Sequence, residues 1–126
     1  MNKLTREWID KAEDDWQVAK RESRVTRRPS YNAVCFHAQQ CAEKYLKAYL
    51  QESGVGFPHT HNLSALLGLC KTLDPLFVAT QTDLEALNDY SVDVRYPGAG
   101  ADSREARAAI RAGQRVRKFV RTKLSL

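Results

Sequence analysis

Cys35-Phe36-His37-Ala38-Gln39-Gln40-Cys41-Ala42-Glu43-Lys44-Tyr45-Leu46-Lys47-Ala48 decides the fold. Cys35, Ala38, Cys41, Ala42 and Tyr45 recur every three or four residues, the spacing that puts side chains on one face of a helix. The same face extends outward to Tyr31 and Val34 on one side and to Leu46 and Tyr49 on the other. Ser30 is the N-cap that such a helix needs, and Gly54-Val55-Gly56-Phe57-Pro58 stops it after about Ser53.

The rest of the chain follows the same period. Trp8, Ile9, Ala12, Trp16 and Ala19 form one arc of a first helix predicted from about Thr5 to Arg24, with Arg27-Arg28-Pro29 interrupting. Asn62 caps a short third helix carrying Leu63, Leu66, Leu67 and Cys70. Asp74-Pro75 reads as N-cap and first residue of a fourth, with Leu84, Leu87 and Val94 on its face and an end before Pro97. Asp102, with Glu105 three residues on, opens a fifth that runs to about Leu124. No run alternates as a strand does. The expectation is all-α: an up-and-down antiparallel bundle of about five helices, forming one domain over residues 1–126.

Composition agrees: 43% hydrophobic and 28% charged residues are those of a folded globular domain. No apolar run approaches a membrane span, and Met-Asn-Lys-Leu-Thr-Arg-Glu-Trp lacks a signal peptide's apolar core, so no membrane and a cytoplasmic setting are expected. Cys35, Cys41 and Cys70 form no CxxC pair and read as reduced thiols. The net charge of +5 is lopsided. Residues 103–126 hold eight basic side chains against one acid, Glu105, and the remainder of the chain is net negative. A localised basic stretch points to an anionic partner.

Four pieces in sequence order resemble the HEPN domain family. Cys35 to Ala48 looks like its second-helix signature, and Ala12-Glu13-Asp14-Asp15 with Ala19 like its first-helix pattern. Thr60-His61-Asn62-Leu63 looks like its Thr-His-x-Leu turn, and Arg95-Tyr96-Pro97 like its Arg-Tyr-Pro element. The resemblance implies an all-α bundle, often dimeric, that binds nucleotide or RNA, cleaves RNA without metal, or partners a small nucleotidyltransferase in a toxin–antitoxin pair. RNase members carry Arg, four to six residues, then His. Counted from Arg95, that position falls on Gly100, Ala101 or Asp102, and His37, His59 and His61 all lie upstream. The usual catalytic pair is incomplete.

The candidate residues fall into three groups. Arg104, Arg107, Arg111, Arg115 and Lys118 lie within about 80° of one another at 100° per residue. They form either a phosphate-tracking row or a solvated face neutralised by Glu7, Asp10 and Asp14 of the first helix. No aromatic residue interrupts the row, so it offers no base stacking of its own. On the second helix, Phe36, Gln40, Glu43, Lys44 and Lys47, with His37 at the edge, form a polar arc with one aromatic, read as a homodimer or partner interface through Phe36, Gln40 and Lys47, as a nucleotide pocket with Lys44 or Lys47 facing phosphate, or else as core. Asp15, Lys44, Lys47, Arg95 and Tyr96 are candidates for ligand binding, with Asp15 able to pair with Arg95 or a helix-two lysine. His37, His61 and Arg95 are the candidates for acid–base or phosphorane-stabilising roles if the chain is an RNase with a non-standard set. His59-Thr60-His61 falls short of a metal set, and no cofactor is expected. A binding module leads, with the RNase and a purely structural dimerisation domain as alternatives.

Overall fold

In a computed structural model of the chain, residues 1–91, 97–98 and 100–126 are described. Helix α1 spans Lys3–Ser23, α2 Tyr31–Glu52, α3 Leu63–Leu73, α4 Gln81–Asn88 and α5 Ser103–Lys123, with a 3₁₀ turn over Pro75–Thr80 ahead of α4. There is no strand among the described residues. The fold is an all-α bundle.

The ends of the helices are set by local chemistry. The Ser30 hydroxyl accepts the Ala33 N–H at 3.2 Å, and the Asn62 side chain accepts from Ser64 and Ala65. Helix α2 closes on Gly54 at φ +71°, where Gly54 N–H returns to the Gln51 carbonyl and Val55 N–H to that of Leu50. That pair of bonds needs a left-handed residue, which glycine supplies without strain. At α5, Asp102 accepts the Glu105 N–H at 2.8 Å and Glu105 accepts the Asp102 N–H at 3.4 Å. This reciprocal box satisfies two N–H groups that an uncapped helix would leave open.

The fourth helix departs from expectation. Asp74 does cap and Pro75 does open the segment, but six residues of 3₁₀ follow, and the α-helix covers only Gln81–Asn88. In 3₁₀ winding, side chains at i and i+3 eclipse. Phe77 and Thr80 therefore share one buried line, while Leu76 and Val78 face outward. Phe77 sits 4.5 Å from the Tyr49 ring and 5.1 Å from that of Phe119, so an aromatic cluster rewards the tighter winding. Leu84 and Leu87 are buried as expected, and Val94 lies outside the described residues.

Helix α2 is the central post, buried at most positions from Val34 to Leu50. Helices α1 and α5 pack on it through Ile9, Ala12, Trp16, Ala19, Ala106, Ala109, Val116 and Val120. Gly113 allows the close approach of α5: a Cβ there would lie 3.3 Å from Trp16 Cζ3 and 3.4 Å from Ala38 Cβ. The three cysteines are buried and unbridged, and burial lifts the Cys70 thiol to about 12. No described helix is long and apolar enough to cross a membrane.

Candidate functional site

Two buried carboxylates on facing helices organise the polar interior. Asp15 of α1 is 8% exposed. Its Oδ1 lies 2.7 Å from His37 Nδ1, and its Oδ2 accepts from Lys44 Nζ at 2.5 Å. A carboxylate can only accept here, so Nδ1 carries the proton and a neutral His37 keeps Nε2 as an acceptor. Of the two expected partners of Asp15, a helix-two lysine is observed, and Arg95 lies outside the described residues. The Lys44 ammonium is thereby occupied.

Glu43, one position before Lys44, turns the other way and is 2% exposed. It accepts from Lys47 Nζ at 3.0 Å, His61 Nδ1 at 2.8 Å and Gln40 Nε2 at 3.4 Å. Gln39 continues the network by donating to the His61 carbonyl at 3.0 Å, and Lys47 also lies 5.3 Å from the Trp8 ring centroid. This corrects the expected two-fold surface. Gln40 and Lys47 are buried within the one chain, at 8% and 6% exposure, and only Phe36 stays half-exposed, its ring edge-on to His37. The physical reason is Glu43. A buried carboxylate must be paired, and the helix spacing brings Gln40 and Lys47 to it at i−3 and i+4. The same contact takes Lys47 out of the set available to a ligand phosphate. His61 shows most of its ring to solvent, at 67% side-chain exposure, and holds the turn before α3 against α2.

The basic residues of α5 divide sharply. Arg117 makes two bonds to Glu13, at 2.6 and 2.7 Å, and Arg121 donates to the Tyr45 hydroxyl, which itself donates to Glu13. Arg117 holds the Glu13 carboxyl below its ordinary value against an opposing desolvation, with Tyr45 reinforcing it. Lys123 pairs with Asp74 at 2.7 Å, and Arg115 grips Asp83 of α4 through Nε and Nη2. Arg104, Arg107, Arg111 and Lys118 are exposed and have no acidic partner among the described residues. The expected row of five is thus a row of four with Arg115 withdrawn to Asp83. Glu7, Asp10 and Asp14 pair with none of it.

A groove of about 360 Å³ runs beside this row, lined by Ser23, Val25, Tyr31, Ser103, Ala106, Arg107, Ile110 and Arg111. Tyr31 is the aromatic residue missing from the α5 row, supplied from α2 across the groove. Its position at the start of the second helix was legible in the sequence, but its nearness to Arg107 and Arg111 depends on how α5 lies over the bundle. Among the described residues, no group of three His, Cys, Asp or Glu side chains converges as a metal site would.

This architecture can be compared with known proteins. The chain matches the HEPN domain over residues 5–123. It belongs to the HEPN domain family. An archaeal HEPN homologue, ST0689, shares 28% identity at a TM-score of 0.71, covering 98% of each chain. TT1696 from Thermus thermophilus shares 26% identity at a TM-score of 0.70, covering 98% of this chain and 99% of that one. No curated protein matches. Of the HEPN elements read in the sequence, the second-helix signature supplies His37, Glu43, Lys44 and Lys47, and the Thr-His-x-Leu turn supplies His61. Arg95 and Tyr96 lie outside the described residues.

Proposed function

We propose that this HEPN chain is a binding module for phosphate-bearing ligands, nucleotide or RNA, working in the cytoplasm as a homodimer or with a nucleotidyltransferase partner. One observation carries the ligand class. Arg104, Arg107, Arg111 and Lys118 stand exposed without acids, while every other basic side chain from Arg115 onward is spent on Asp83, Glu13, Tyr45 or Asp74. A helix rising 1.5 Å per residue spreads the four over about 21 Å, the scale of several successive phosphates. Guanidinium forks match phosphate oxygens, and leaving them unpaired in a chain that pairs their neighbours favours an external anion. The assembly and the partner class rest on family membership alone.

The test is the salt dependence of RNA binding. Replacing Arg104, Arg107 and Arg111 with glutamine should flatten the log–log slope by about two units, at about 0.7 per single-strand phosphate. Arg115→Gln should leave the slope unchanged, because its guanidinium serves Asp83. Equal slopes in wild type and triple variant would remove nucleic acid from the reading.

A second reading, an RNase with a non-standard set, draws on the two carboxylate–histidine pairs, Asp15–His37 and Glu43–His61. Each pair orients an imidazole as acid–base chemistry requires. The incomplete Arg-to-His element weighs against it. Wild type should cleave generic RNA in chelator no faster than His37→Ala/His61→Ala, and metal-free cutting by wild type alone would replace the binding module with the RNase.

A further inference from the structure

Past Arg111 the surface of α5 changes character. Lys118 lies about 10 Å further along the helix axis. It lines a separate hollow of about 330 Å³ together with Arg115, Phe119, Thr122 and Lys123. Arg115, Lys118, Phe119 and Thr122 fall at i, i+3, i+4 and i+7, one stripe of the helix. Phe119 is the apolar floor, and three cationic side chains border it. The Thr122 hydroxyl is spent on the Lys118 carbonyl at 2.9 Å, so the cations are the polar groups left for recognition.

The 3₁₀ turn over Pro75–Thr80 packs against this end of α5. Phe77 sits edge-on to Phe119, and Asp74, just before the turn, holds Lys123 at 2.7 Å. The winding that buries Phe77 turns its two neighbours outward, and Leu76 and Val78 are each more than half exposed. Aliphatic side chains left in water beside cations mark a surface that a partner covers.

The chain itself shows which anion these cations take. Arg115 grips the Asp83 carboxylate through Nε and Nη2, and Lys123 grips that of Asp74. Arg115 keeps Nη1 without an acceptor among the described residues, and its side chain is 61% exposed. Lys118 has no acid among them at all. Stacked bases fit poorly here. The Phe119 ring already packs against Phe77 and has the Lys123 ammonium 5.5 Å from its centroid, and the exposed neighbours are aliphatic.

The geometry points to a protein-docking surface at this end of the bundle. It takes a segment of a partner protein that carries Asp or Glu beside Leu. The leucines lie against Phe119 and the adjoining Leu76 and Val78, and the carboxylates meet Lys118 and the free Nη1 of Arg115. Charge complementarity selects this occupant, because the hollow is bordered by three cations and lined by no acid. The surface is distinct from the Arg104–Arg107–Arg111 row, and its partner is of a different class from the phosphate-bearing ligand proposed for that row.

Fluorescence anisotropy with the labelled peptide Asp-Glu-Leu-Leu-Asp-Glu-Leu-Leu-Asp-Glu tests this. One control replaces every Leu with Ser and keeps the charge; the other replaces the acids with their amides and keeps the leucines. The parent peptide should bind at least about tenfold more tightly than either. Lys118→Glu should weaken it by about tenfold or more, and Leu76→Ser/Val78→Ser by about fivefold or more. All three positions are exposed, so the melts of these variants should match wild type. Replacing Arg104, Arg107 and Arg111 with glutamine should leave peptide affinity unchanged, and a ten-nucleotide oligouridylate should not displace the peptide from that variant. No binding of the parent peptide, or a serine control that binds equally well, overturns the proposal. So does full affinity in both Lys118→Glu and Leu76→Ser/Val78→Ser. Loss of peptide binding in the triple variant would show carboxylates competing for the phosphate row, and displacement by oligouridylate would make the hollow a nucleic-acid site; either overturns the docking surface. The phosphate-binding reading is decided separately, by the RNA salt slope.

Discussion

Removing the Lys47 ammonium while leaving Glu43 in place isolates the polar knot at the centre of the bundle. The Glu43 and Lys47 side chains are 3% and 7% exposed, with Nζ 3.0 Å from Oε2. Breaking such a pair from one side costs about 3–5 kcal/mol, because the survivor is a buried charge without its counter-ion. Lys47→Met should fall at the low end, about 3 kcal/mol, since His61 and Gln40 still donate to the carboxylate. Glu43→Gln should cost less, about 2 kcal/mol: the amide oxygen still accepts, and the Trp8 ring 5.3 Å away still faces the ammonium. The double variant Glu43→Gln/Lys47→Met carries no buried charge at the pair and should also cost about 2 kcal/mol, leaving a coupling of about 3 kcal/mol between the two sites. Urea unfolding at neutral pH reads this directly. With a slope of about 1.5 kcal/mol/M, Lys47→Met should move the midpoint by about 2 M, and the double variant should recover part of that loss. Costs that simply add, with coupling under about 0.5 kcal/mol, would show that the two charges do not meet inside the fold, and would refute the burial argument that takes Lys47 away from ligand and partner surfaces alike.

Three further outcomes follow from the same geometry. Arg117, then Tyr45, holds Glu13 below the ordinary carboxylate value, so its pairing adds stability above about pH 4.5 that is lost as pH falls through the lowered value; Glu13→Gln should therefore cost about 1–2 kcal/mol at pH 7 and progressively less toward pH 3, measured by chemical denaturation across pH. Gly113→Leu should destabilise by about 2 kcal/mol or more by forcing α5 off Trp16 and Ala38, with Gly113→Ala much milder, and thermal melts of the two variants should rank in that order. Phe36 is the residue of the expected two-fold surface that stays partly exposed, so Phe36→Asp should yield a folded monomer in sedimentation velocity, whereas an unchanged dimer would move the two-fold contact elsewhere.

The amino-acid order alone determined where the helices lie. Periodicity near 3.6 and the caps Ser30, Asn62, Asp74 and Asp102 act within a few residues of chain, and each does in the fold what its local chemistry requires. The 3₁₀ winding of Pro75–Thr80 escaped that reading because its cause, Phe77 between Tyr49 and Phe119, joins residues far apart in sequence. Charge pairing escaped it for the same reason. Arg107, Arg111, Arg115, Arg117 and Arg121 look alike along α5, yet Arg117 meets a carboxylate 104 residues away, Arg115 meets one 32 residues away, and Arg107 and Arg111 meet none among the described residues. On α2, Gln40 and Lys47 read as surface because a wheel shows which side chains share a face but not what covers it; Glu43 of the same helix pairs with both, and His61 and Trp8 close over them only once the turn before α3 and α1 have docked. Helix formation depends on neighbours three and four residues away, whereas the availability of a charge to a ligand depends on which distant acid the packing delivers to it.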